Sequence, residues 1–208
     1  MAWIIGEQLA DGRRVAPAAE RNKGPILEVL QRVLPPRGLV LEIGSGTGQH
    51  VVHFAKVLSQ LSWQPSDPDA ENRRSIALWS MVEERGNVRA PLALDVCKRP
   101  WPINAADAIV CINVVHVSPW AATLALFDGA REVLPPEGVL FLYGPYRRGG
   151  RHTAPSNEKF DADLRAHDPE WGLRDVDELS EIADRGGFAL AEIVDMPANN
   201  FSLVFRKT

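Results

Sequence analysis

An apolar run, "VLEI" at residues 40–43, passes through glycines at 44, 46 and 48 into an amphipathic stretch that begins at Gln49. That junction restricts the chain to folds in which a buried strand turns sharply into a helix. Glycine tolerates positive φ and lets another group approach the backbone closely. At such a junction the other group is characteristically a ligand, resting on the unpaired N–H groups of the helix start. Spacing then separates the ligand classes. A phosphate loop requires a Lys directly after its last glycine, where this chain has Gln49. A dinucleotide fingerprint, G-x-G-x-x-G, meets Gln49 or Val51 at its third glycine position, depending on register. What remains is acidic-x-G-x-G-x-G, running from Glu42 to Gly48. The plain alternative is a glycine-rich turn that only packs helix on sheet.

The rest of the chain alternates in the same manner. "PILEVLQRVL" from Pro25 carries Ile26, Leu27, Leu30, Val33 and Leu34 at helical spacing, and Pro35-Pro36 stops it. Strands are expected at "LVLEIG", "LSWQPSD", "LALDV", "DAIVCINVV" and "GVLFLYG", the fourth apolar enough to be buried on both faces. Helices are expected after the glycine turn, over "ENRRSIALWSMVEER", from Ser118-Pro119 to about Leu134, and from Asp175, which forms a capping-box-like start with Glu178. "FALAEIVDM" and "FSLVFRK" around "PANN" read as a closing hairpin. The sum is one α/β domain over residues 1–208, with a seven-stranded, mostly parallel sheet. Residues 1–24 read as a polar, irregular N-terminal arm. Residues 145–174 interrupt the alternation, and Tyr146, Phe160 and Trp171 within them predict an ordered cap with a short helix near Glu158–His167.

The glycine motif resembles the first motif of class I S-adenosylmethionine-dependent methyltransferases, and the order of elements resembles the Rossmann-like ground plan of that class. The resemblance implies S-adenosylmethionine as cofactor, held by Gly44, Ser45, Gly46 and Gly48, with Glu42 orienting its ammonium through water. Asp67 ends the second strand nineteen residues beyond Gly48, at what reads as an exposed strand end, where a carboxylate can accept from ribose hydroxyls. Asp69 is then left to cap the following helix. By resemblance Asp95 accepts from the adenine amino group, Val96 lies against the ring, and Asn113 sits near the ammonium. The stretches "RVAPAAERNKGPILEVL", "YGPY", "SNEKFDADLR", "WGLRD" and "MPANN" narrow the likeness. They resemble the methyltransferase-like protein 26 family, which brings no established substrate.

Methyl transfer from a sulfonium is an in-line displacement that needs no metal, and placement alone lowers such barriers by roughly 7–11 kcal/mol. If the acceptor needs a base, His116 just outside the fourth strand is the best-placed candidate, against the alternative of a structural hydrogen-bonder. Tyr143 and Tyr146 bracket Gly144-Pro145, and Tyr146 is the second catalytic candidate. Arg21, Asn22, Tyr146, Asn157 and Trp171 are expected to face the acceptor from the two irregular segments. His50 and His53 have no third ligand nearby in sequence, so they read as surface and core residues and no metal is expected.

A net charge of −4 and a pI near 5.8 disfavour a nucleic-acid partner. "NVVH" at residues 113–116 also lacks the N/D-P-P-Y/F pattern of adenine-amino DNA methyltransferases. The run Arg147, Arg148, Arg151 and His152 reads instead as cap residues pairing with Asp161, Asp163 or an anionic substrate. The N-terminus lacks a basic n-region and its apolar run is too short for a signal peptide or a membrane span. Cys97 and Cys111 read as reduced thiols of a cytoplasmic protein. The leading functional reading is methyl transfer to a small molecule. The alternative is a non-catalytic S-adenosylmethionine-binding protein that acts through partners. A nicotinamide oxidoreductase fails on glycine spacing and lacks a Tyr-x-x-x-Lys pair.

Overall fold

The computed structural model describes residues 7–84 and 86–208. Its main sheet has six strands: β1 (Gly38–Ile43), β2 (Leu61–Ser66), β3 (Ala108–Ile112), β4 (Val139–Gly144), β5 (Phe188–Met196) and β6 (Asn200–Lys207). Their spatial order is β2-β1-β3-β4-β6-β5. β2, β1, β3 and β4 run parallel, while β6 is antiparallel to both β4 and β5. The helices are α1 (Pro17–Val33), α2 (Gln49–Val57), α3 (Ala70–Val82), α4 (Trp120–Val133), α5 (Pro155–His167) and α6 (Val176–Arg185).

The period-two geometry of a strand explains why the central sequences are apolar at every position. In β3, Ala108, Val110 and Ile112 feed one core with α1, α2 and α3, through Ile26, Leu30, Phe54, Trp63 and Ile76. Ile109 and Cys111 feed the other core with α4 and α6, through Phe127, Ala130, Leu179 and Phe188. The result is a helix–sheet–helix sandwich with both sheet faces covered.

Two expectations are corrected. The segment "LALDV" does not form a seventh strand. Its Leu92 forms an isolated bridge to Ser66 at the edge of β2, and Val88, just before the segment, forms another to Trp63, with registers that differ by one residue. The physical reason lies at Pro65, which has no N–H to donate between those bridges. The carbonyl of Ala90 is met instead by the Gln64 side chain, Nε2 to O at 2.7 Å. The N-terminal arm, in turn, is not irregular throughout. α1 starts at Pro17 and runs through Pro25, so the proline at the first helical turn is Pro17.

The insertion after β4 is ordered by a few buried polar side chains. A two-residue hairpin, Arg147–Arg148 with Arg151–His152, leads into α5. Asp161 accepts from the Leu173 N–H at 2.7 Å and from His152 Nε2 at 3.0 Å, and pairs with Arg165. Of the basic run, His152 takes the expected Asp161, whereas Arg147 pairs with Glu178 and Asp163 goes to Lys159 instead. Asp175 caps α6 through the Asp177 N–H and also accepts from the Gly150 N–H at 2.7 Å. Arg174, 7% exposed, donates to the carbonyls of Val115 and Ser118 and so ties the insertion to the turn after β3.

Candidate functional site

The chain leaves β1 for β2 on one side and returns to β3 on the other, so the carboxyl ends of β1 and β3 flank the topological switch point of the sheet. In open α/β sheets ligands bind in that crevice. The glycine turn fills it. Gly44 (φ +64°) and Gly48 (φ +92°) are both left-handed, and both are also confined. A Cβ on Gly44 would lie 2.6 Å from Val114 Cγ2, and one on Gly48 would lie 2.8 Å from Ile76 Cα. Gly46 between them differs. Its nearest neighbour to an added Cβ would be the Gly44 carbonyl at 3.9 Å, so the turn presents open space there.

Asp67 reaches this turn from the end of β2. Its carboxylate accepts from the Gly46 N–H at 2.9 Å, the Asp69 N–H at 2.9 Å and Asn72 Nδ2 at 3.2 Å. A carboxylate offers about four acceptor positions, so the chain itself uses three and leaves about one. Asp67 is buried, not at an exposed strand end, and burial raises its pKa against those three bonds. Asp69 caps α3 by accepting from the Asn72 N–H, as its neighbouring position suggests.

Glu42 lies beneath the turn, 2% exposed. Burial pushes its pKa up to about 8, the nearby charge of Asp67 pushes the same way, and a hydrogen bond from Ser45 opposes them. Its Oε2 has no hydrogen-bond partner among the described residues. A buried polar atom in that state is costly unless something completes it. Ser45 also helps to lock the turn: its N–H donates to the Ser66 carbonyl at 2.8 Å, and its hydroxyl accepts from the Ser66 N–H.

At the far strand ends the expected residues separate. Asn113 terminates β3 in a left-handed conformation (φ +57°), which shortens the strand relative to the apolar run, and its N–H donates to the Tyr143 carbonyl. Asp95 is partly exposed, accepts from the Cys97 N–H at 3.0 Å and pairs with Lys98. Val96 packs at the edge of the α4 core, and its carbonyl accepts from Trp101 Nε1. His116 is buried, not poised outside the strand. Its ring lies against Gly144, where a Cβ would come within 2.7 Å of Cε1, and meets Phe160 of α5 edge-on. Burial, aided by the charge of Arg174, lowers its pKa to about 3, so the ring is neutral and its Nδ1 unpaired. Tyr146 is fully buried, with its hydroxyl unpaired and its pKa raised by burial.

The acceptor-facing set is divided in the same way. Asn22 Oδ1 meets His50 Nε2 at 2.7 Å, and burial raises the pKa of Tyr143 against the opposing influence of Asn22 and of the Arg21 charge. Asn157 donates to Thr153 Oγ1 and the Asn199 carbonyl, so it braces the insertion against the β5–β6 turn. Trp171 packs on His167 at the end of α5, ring centroids 5.0 Å apart. Sequence reading missed Gln49, which is buried and ties α1 to the glycine turn: it accepts from the Ala16 N–H and donates to Glu20 Oε1, both at 2.6 Å. It missed Arg174 as well. Neither carries a local signal, since each is an ordinary polar residue at a helix boundary. Among the described residues no group of three His, Cys, Asp or Glu is placed to hold a metal ion.

The fold is that of S-adenosylmethionine-dependent O-methyltransferases. An O-methyltransferase family protein from Burkholderia thailandensis superposes with a TM-score of 0.78 at 16% identity, over 92% of this chain and 57% of that one. A methyltransferase of calicheamicin biosynthesis in its S-adenosylhomocysteine-bound form gives 0.74 at 18%, over 92% and 55%. Human N-acetylserotonin methyltransferase, solved with S-adenosylmethionine, gives 0.77 at 16%, over 91% and 52%. The chain thus spans little more than half the length of these structures. By sequence it belongs to the family described as protein of unknown function DUF938, whose profile matches residues 13–207.

Proposed function

We propose that this protein binds S-adenosylmethionine at the Gly44–Gly48 turn and directs its methyl group to a small-molecule acceptor. One observation carries the reading: a buried carboxyl with an unpaired oxygen, Glu42 Oε2, lies under a turn whose middle glycine faces open space. A cationic ligand with an adenosine tail answers both features, and solved neighbours of the same fold bind S-adenosylmethionine or S-adenosylhomocysteine. Gly44, Ser45, Gly46 and Gly48 would cradle it, and Asp67 would give its remaining acceptor position to the ribose. Asp95 with Val96 would receive the adenine, while Asn113 and Glu42 would face the ammonium. When bound, the sulfonium supplies an activated methyl group, and the chain's task is placement and exclusion of water.

The start of α1 and the insertion at 145–174 close over that cofactor in this reading, bringing Arg21, Asn22, Tyr146, Asn157 and Trp171 toward the acceptor. His116 and Tyr146 act here as hydrogen-bonding groups that set the pocket floor, since the low pKa of one and the high pKa of the other suit neither to proton transfer near neutrality. The stretches resembling the methyltransferase-like protein 26 family support placing the chain with that group. Burial of both proton-transfer candidates favours one alternative, a protein that binds the cofactor and acts through partners. No helix among the described residues is long and apolar enough to cross a membrane. Incubation with a metabolite extract and methyl-labelled S-adenosylmethionine separates the readings. A labelled small molecule supports transfer. Binding of S-adenosylhomocysteine with no labelled product supports the alternative.

A further inference from the structure

Arg14 and Ala16, on the strand that leads into α1, hold the glycine turn from outside, each through one intermediate side chain. The Arg14 N–H donates to Ser75 Oγ at 2.8 Å, and that hydroxyl donates to the Thr47 carbonyl at 2.7 Å. The Ala16 N–H donates to Gln49 Oε1, which also accepts from Thr47 Oγ1 at 3.0 Å. Thr47, between Gly46 and Gly48, is thereby held at its carbonyl and at its hydroxyl. The strand itself is short: Arg14–Val15 pairs with Glu7–Gln8, and a two-stranded piece of that size is not stable alone. It is fixed on α3, where Trp79 Nε1 donates to the Arg14 carbonyl at 2.9 Å and the Arg13 guanidinium lies over the Trp79 ring.

The side chain of Arg14 makes a further connection, to Asp67. A guanidinium can only donate, so the 2.7 Å bond from Nη1 fixes the Asn72 oxygen toward Arg14. The Asn72 amide nitrogen is then turned to Asp67 Oδ1, at 3.2 Å. Oδ1 also accepts from the Asp69 N–H, which fills its two positions, whereas Oδ2 accepts from the Gly46 N–H. The acceptor position left on Asp67 is therefore on Oδ2, the oxygen bonded to the middle glycine of the turn. Asp69 also pairs with Arg14, at 3.9 Å, but it is largely exposed and caps α3, so Asn72 is the close partner.

We propose that Arg14 is a positioning residue for the cofactor site: acting through Asn72, it holds Asp67 so that the free position of Oδ2 meets a ribose hydroxyl. The inference rests on the proposed cofactor site and deepens it. The Arg14 backbone, pinned by Ser75 and Trp79, sets the guanidinium in place, so docking of the arm on α3 and recognition of the ribose depend on each other. Without the guanidinium the Asn72 amide is free to turn, and Asp67 loses one of the three bonds that oppose burial and favour its ionised form.

Calorimetry on wild type, Arg14→Met, Asn72→Leu and the double variant tests this. Methionine keeps an apolar stem and both backbone bonds of residue 14, so the arm stays docked. The probes are S-adenosylhomocysteine, adenosine and 2′,3′-dideoxyadenosine, which lacks both ribose hydroxyls. In wild type a charge-assisted bond to ribose gives adenosine an advantage of roughly tenfold or more over the dideoxy analogue. Arg14→Met is expected to cut that advantage severalfold and to leave 2′,3′-dideoxyadenosine unchanged. Asn72→Leu does the same, and Arg14→Met adds nothing to it, because both act along one path. An advantage that Arg14→Met leaves intact, or a loss shared equally by both nucleosides, overturns the positioning role. So does a double variant whose loss is the sum of the single ones. A wild type that binds S-adenosylhomocysteine with no preference between the nucleosides removes Asp67 as the ribose group, and the proposal with it. A wild type that fails to bind S-adenosylhomocysteine overturns the cofactor reading instead.

Discussion

Replacing Glu42 by glutamine removes an ionisable proton from the protein interior while keeping the shape of the side chain. In the folded chain burial pushes the Glu42 pKa from 4.5 to about 8, and the side chain is 2% exposed. The sign of the consequence follows directly. Below the unfolded pKa the group is protonated in both states and costs nothing. Between that value and about 8 the unfolded chain ionises while the folded chain must hold its proton, so stability falls as pH rises. At about 1.4 kcal/mol per pH unit the full window is worth about 5 kcal/mol at most. Glu42→Gln lacks this dependence, so it is expected to be more stable than wild type at pH 8 by a few kcal/mol and to match it near pH 5. A bound ammonium reverses the balance, because it favours the ionised carboxylate. Wild-type affinity for S-adenosylhomocysteine should therefore rise with pH up to about 8, with proton release, while that of Glu42→Gln stays flat and weaker. Urea denaturation and calorimetry at pH 6 and 8 read both effects. Equal pH slopes of stability for wild type and variant would refute the reasoning, whatever the ligand does.

Other substitutions probe neighbouring parts of the site. Gly46→Ala meets only open space, so it should fold with a loss of about 1–2 kcal/mol for its left-handed backbone and lose ligand binding. Gly48→Ala drives a Cβ to 2.8 Å from Ile76 Cα and should instead destabilise the fold, which thermal melts of the pair will distinguish. Asp67→Ala strands the Gly46 and Asp69 N–H groups, so calorimetry should show weakened S-adenosylhomocysteine binding while melts show a stability loss of about 1–3 kcal/mol; a purely functional effect would argue against the bonds described. Arg174→Ala leaves the Val115 and Ser118 carbonyls without their donor, and hydrogen exchange should quicken in residues 145–174 and 113–118 together; a change confined to one segment would contradict the coupling.

Much of this architecture is visible in the order of residues. Strand alternation, helix caps at Asp69 and Asp175 and the glycine turn are local features, and local chemistry decides them. The missing seventh strand was hidden because "LALDV" is a good strand by itself; the obstacle is Pro65, on the strand it would have joined. The extent of α1 was misjudged because Pro25 reads as a helix start, whereas Gln49, from across the fold, holds the turns before it through Ala16 and Glu20. His116 shows the same limit. Its distance from Asn113 suggests an accessible base, and only the tertiary fit of Gly144, Phe160 and Arg174 around it makes it a buried neutral ring.

The central claim is that the Gly44–Gly48 turn is a cofactor site for S-adenosylmethionine, and titration calorimetry with S-adenosylhomocysteine tests it most directly. Saturable binding to one site per chain, lost in Gly46→Ala and without comparable binding of NAD or ATP, is the predicted result. Binding of NAD or ATP with none of S-adenosylhomocysteine would contradict it.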